Sequence, residues 1–108
     1  MAVSASTLEI PSFVAAADLL RRMFLELERL GLENSRLHFA MLHRTYAIRQ
    51  RLDKLSGVVE LLKSAVAPLQ VSDLSRRAKG LIAQLSDELE EISHEAEDEF
   101  EWIEVPHV

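Results

Sequence analysis

The sequence comprises 108 residues, 48% of them hydrophobic, and carries a formal net charge of −6. That length fits one domain, and the apolar content excludes a disordered chain. The lack of cysteine excludes disulfides, thiolate zinc sites and a cysteine nucleophile, and three Gly and three Pro are too few for an all-β protein of many turns.

The first predicted helix spans about 12–30, with Ser12 after Pro11 as its N-cap and Gly31 just past its end. Phe13, Ala17, Leu20, Phe24 and Leu27 step by four, three, four and three, and Leu19, Met23 and Leu30 widen the stripe into a bundle-type face. The stretch from Phe13 to Leu30 also holds Asp18, Arg21, Arg22, Glu26, Glu28 and Arg29, so no membrane span is expected.

The second predicted helix spans about 34–67 and stops before Pro68, which disfavours helical geometry at Ala67. Its seam reads Met41, Thr45, Ile48, Leu52, Leu55, Val59, Leu62, Val66, an unbroken three–four alternation. At about 1.5 Å per residue this is a rod of roughly 50 Å. Ser56-Gly57 is its weak point, because an interior Gly costs about 1 kcal/mol relative to Ala. The spacing favours one long central helix; a break at Ser56-Gly57, giving four helices, is the alternative.

The third predicted helix spans about 73–99, capped by Ser72-Asp73, with Leu74, Ala78, Leu81, Leu85, Leu89, Ile92 and Ala96 as its seam. The N-terminal ten residues and the tail 100–108 are expected to be irregular. The whole is an all-α antiparallel three-helix bundle forming one domain over 1–108, since short connections force neighbouring helices to run antiparallel. With the chain folding back near residue 70, residue i of the second helix faces residue 140 − i of the third. The acidic run 87–99 then lies beside Arg44, Arg49 and Arg51, with Arg21, Arg22 and Arg29 at the same end. Those arginines are needed there, because carboxylates at a helix C-terminus oppose its dipole.

A first helix of about 18 residues reaches only to about Leu52 of the second. Past that point it leaves a bare apolar hairpin: Leu55, Val58, Val59, Leu62, Val66 and Leu69, opposite Leu74, Leu81, Ile82 and Leu85. A soluble chain rarely exposes such a contiguous patch. The expected cover is a second copy in a homodimer; another protein's helix, or closure of the monomer by a break at Gly57, are the alternatives.

Glu91 and His94 form a Glu-x-x-His pair of the kind that ligates metals in di-iron bundles, but no second pair accompanies them, and a solvated acidic face accounts for both. His38 and His43 lie five apart, on different helix faces, and read as boundary residues. Neither a nucleophile elbow nor a glycine-rich phosphate loop is present, so neither catalysis nor a bound cofactor is expected. Residues 1–54 hold eight Lys/Arg and six Asp/Glu, residues 55–108 four and twelve, and no Lys or Arg follows Lys79. That is the reverse of a nucleic-acid binder's basic stripe. The tail sets Phe100, Trp102 and Ile103 among acidic residues, as a segment folded back on the bundle or as a linear motif for a partner.

The function expected from these features is a non-enzymatic protein–protein interaction module: an adaptor, small chaperone or regulator, self-associating through the 55–85 hairpin. An acidic mimic that occupies a basic protein, and a metal-binding bundle using Glu91 and His94, are the competing readings. The N-terminal MAVSASTLEIPS lacks the basic region of a secretory signal, and a cytoplasmic location is expected.

Overall fold

The computed structural model describes the backbone of residues 2–104 and the side chains of 9–95. Four helices follow in order: α1 (Ala2–Gly31), α2 (Ser35–Leu42), α3 (Thr45–Ser64) and α4 (Pro68–Glu104). They form three legs, because α2 and α3 run in succession as one leg antiparallel to both α1 and α4, in a rod of 60 × 25 × 16 Å. Among the described residues there is no strand.

The chain is therefore all-helical with four helices, but the interruption differs from the one considered at Ser56-Gly57. It falls at His43-Arg44. The Met41 carbonyl accepts both the Arg44 N–H at 2.8 Å and the Thr45 hydroxyl at 2.9 Å, which tightens the chain into a turn there. A threonine hydroxyl that bonds back to a carbonyl four residues earlier bends or interrupts helices in this way. The apolar seam still continues across the turn, with Met41 and Ile48 buried on either side. Asn34 starts α2, its side-chain oxygen accepting the Arg36 and Leu37 N–H groups.

Gly57 lies inside α3, and a Cβ added there meets nothing within 4 Å. Gly57→Ala is accordingly expected to stabilise the fold by about 0.5–1 kcal/mol, the helix-propensity difference without a steric charge against it. A denaturant titration that shows no gain would place Gly57 outside regular helix.

The first helix is longer than its sequence signals imply. It does not start at Ser12 but passes through Pro11, with Ile10 packed against the core and Phe13 buried on the far side. Tertiary contacts on both sides of the proline outweigh its local cost. Likewise α4 starts at Pro68 rather than Asp73, using proline at the first helical position, where its missing N–H is no loss. It continues through Glu104, so residues 100–104 are helical rather than irregular. The side chains of Phe100, Trp102 and Ile103, and the whole of 105–108, lie outside the described residues.

A full-length α1 covers the hairpin that the sequence leaves bare. Leu55, Val58, Val59, Leu62, Leu74 and Leu85 are buried in one core with Phe13, Leu20, Phe24, Leu37, Met41, Ile48, Leu52, Ala78, Leu89 and Ile92; Leu81 and Ile82 pack against it half-buried. Only Val66 and Leu69 of the ten candidate interface residues remain exposed, beside the α3–α4 connection. The monomer closes its own core.

Candidate interaction surfaces

Ion pairs fix how the legs are aligned. Arg51 pairs with Glu88, and Arg44 donates to Glu95 at 3.1 Å, so each α3–α4 pair sums to 139, close to the expected 140. On the α1 side, Arg49 donates to Glu28 at 2.6 Å and sits 5.8 Å from the centroid of the Phe24 ring. Arg21 reaches Ser56 at 3.2 Å and Asp53 at 3.5 Å. Arg22 and Arg29 pair within α1, with Asp18 and Glu26, instead of meeting the acidic run. The Arg29 guanidinium, hydrogen-bonded to Glu26, holds that carboxyl below the usual carboxylate range. Lys79 meets Glu9 at 3.3 Å and fixes α1 parallel to α4.

These contacts divide the rod into two ends of opposite character. The end at the α3–α4 connection, residues 1–16 and 54–86, holds five Lys/Arg against three Asp/Glu, a balance of +2. The end at the α1–α2 connection, residues 17–53 and 87–104, holds seven against fifteen, a balance of −8. The excess comes from ten carboxylates between Asp87 and Glu104, of which Glu88 and Glu95 are tied to arginines as described.

Two surface features stand out, one at each end. On the outer side of the middle leg, Phe39 (69% exposed), Leu42 (53%) and Tyr46 (74%) follow at spacings of three and four across the α2–α3 turn. On α2, Phe39 and Leu42 lie away from the buried Leu37 and Met41, and on α3 Tyr46 lies away from the buried Ile48; the Tyr46 hydroxyl accepts a hydrogen bond from Gln50 Nε2 at 2.8 Å. The sequence seam drew attention to the inner face of this leg, and the outer aromatics were legible only as residues off that seam.

The second feature is a groove of about 310 Å³ between α3 and α4, lined by Lys54, Val58, Arg77, Gly80, Leu81 and Gln84. Its rim carries the Lys54 and Arg77 cations, Val58 and Leu81 supply its apolar wall, and Gly80 keeps it open, since a Cβ there meets nothing within 4 Å. Arg77 is paired with Asp73 at 3.1 Å; among the described residues Lys54 and Arg76 are in no ion pair.

The remaining candidates do not gather into a site. Glu91 and His94 are both exposed, and among the described residues no three His, Asp or Glu side chains are placed to hold a metal. His38 lies against Gly31 at the α1–α2 connection, and His43 is exposed at the α2–α3 turn. Among the described residues, no helix is long and apolar enough to cross a membrane. The chain matches no known family model, curated protein or solved structure.

Proposed function

We propose that the protein is a non-enzymatic helical interaction module that binds another protein through the outer stripe of its middle leg. The observation that carries this reading is the exposure of Phe39, Leu42 and Tyr46 on either side of the α2–α3 turn, in a chain that closes its own core. A few buried anchors, tyrosine prominent among them, supply most of the energy in many protein interfaces. Each large apolar side chain transferred from water into a partner gains about 1.5–3 kcal/mol. A partner that docks across the α2–α3 turn would meet Phe39 and Leu42 on α2 and Tyr46 in the first turn of α3. Adaptor, chaperone and regulator are all compatible with such a surface.

The test is a double substitution, Phe39→Ser with Tyr46→Ser, compared with the wild type in cross-linked capture from the native cell. Both side chains point away from the core, so the melting temperature is expected to hold within a few degrees while the captured partner is lost. Capture of the same partner by the variant would defeat the reading.

A second reading, in which the acidic end occupies a basic protein, draws support from the −8 balance of that end. It requires binding that collapses as salt screens the charges, whereas capture through the apolar stripe survives salt.

A further inference from the structure

We infer that the groove between α3 and α4 is a self-association site that receives the acidic last turns of α4 from a second copy, head to tail. This rests on different residues from the outer stripe and stands or falls independently of it.

The argument begins with direction. Two copies of a chain of net charge −6 repel on average. That repulsion is relieved only where a positive surface of one copy meets a negative surface of the other. The +2 end carries the groove, and among the described residues its rim cation Lys54 and neighbour Arg76 are in no ion pair. The −8 end carries Asp98, Glu99, Glu101 and Glu104 in the last turns of α4, interspersed with Phe100, Trp102 and Ile103. By sequence that helical segment carries both carboxylates and apolar residues, as the rim and wall of the groove do in complementary form. The open space over Gly80 is what an incoming side chain needs.

Orientation follows from the same charges. If two α4 helices packed antiparallel with residue 104 at residue 80, their acidic stretches would lie side by side about residue 92. Parallel, staggered α4 helices instead set 98–104 of one copy beside 76–82 of the next, where Arg76, Arg77 and Lys79 lie. Such a contact is heterologous, with the donor's other end left free, so it propagates into rings or open chains rather than stopping at a dimer. Val66 and Leu69, exposed at the receiving end, lie within the same zone of contact.

The test is the solution mass of the full chain by light scattering across a hundredfold range of concentration at low salt. The mass is expected to rise by about twofold or more above the monomer value of 12.2 kDa, without a plateau at the dimer, and to return to the monomer in salt. A mass fixed at 12.2 kDa, or one that rises equally in high salt, overturns the inference. Two variants locate the contact. Lys54→Glu with Arg77→Glu reverses the rim, and Gly80→Met fills the groove while favouring the helix; each is expected to remain folded and monomeric, the first with a melting temperature a few degrees lower through loss of the Arg77–Asp73 pair and the second with an unchanged or raised one. Association that survives both, or that is lost only on substituting Phe39 and Tyr46, overturns the assignment to the groove. Mixing the rim-reversed variant with one carrying Lys at 98, 99, 101 and 104 is expected to restore association that neither shows alone. Failure of the mixture to associate also rejects the pairing.

Discussion

Leu62→Asp is expected to unfold the protein, while Val66→Asp, four residues on in the same predicted seam, leaves its melting temperature nearly unchanged. The two are equivalent in hydrophobic pattern and opposite in environment. Leu62 is 2% exposed in the core, whereas Val66 is 84% exposed where the chain leaves α3. An aspartate at 62 either stays ionised in an apolar site or takes up a proton to avoid it, and it loses the leucine's burial as well. Together these cost several kcal/mol, against a total stability of about 5–15 kcal/mol for a domain of this kind. At 66 the carboxylate stays in water. Circular-dichroism melts of the two variants measure the contrast. Equal effects would mean that the end of α3 is covered by something beyond the chain itself.

Phe24→Ala is the second large effect, expected to lower stability by about 3–5 kcal/mol, with a fall in melting temperature of roughly 15–25 °C. Phe24 is among the largest fully buried side chains and sits at the middle of the α1 seam. Its ring also faces the Arg49 guanidinium, which in turn holds Glu28, so its loss loosens two cross-leg contacts besides opening a cavity. Arg49→Ala by comparison is expected to cost well under 1 kcal/mol, because the arginine is largely exposed and water replaces its contacts. A phenylalanine loss no larger than the arginine loss would show that α1 contributes little to the core.

The seams read from the sequence survive almost intact in the structure. Ile48, Leu52, Leu55, Val59 and Leu62 are buried together as the three–four spacing requires, and so are Leu74, Ala78, Leu85, Leu89 and Ile92. The α3–α4 alignment was equally legible, since equal helical rise on both sides of a short connection leaves one arithmetic solution, and the Arg44–Glu95 and Arg51–Glu88 pairs fall within one residue of it. Helix ends were harder to read, because local signals compete there with distant contacts. Pro11 and Ser12 resemble a helix start, yet Ile10, Phe13 and the Glu9–Lys79 pair carry the helix through them. Thr45 looks like an ordinary seam residue, and its back-bond to Met41 emerges only from the path of the backbone. One misplaced end had a large consequence. A first helix of 18 residues exposes the hairpin, while the 30 residues of α1 cover it, and so the candidate surface moves from Leu55–Leu85 to the outer stripe and the basic groove.

The parallel placement of α1 and α4 also bears on how quickly the chain finds its fold. The α3–α4 hairpin closes over a connection of residues 65–67, so its contacts form across short loops and at small entropic cost. Glu9 and Lys79, by contrast, belong to legs separated by the entire intervening hairpin. Contacts between such distant segments are slow to form, and they fall on the late side of the transition state when a local alternative exists. On this basis contacts between legs joined by a short connection are expected to form before those between α1 and α4, an order that φ-values for substitutions across the two interfaces would measure.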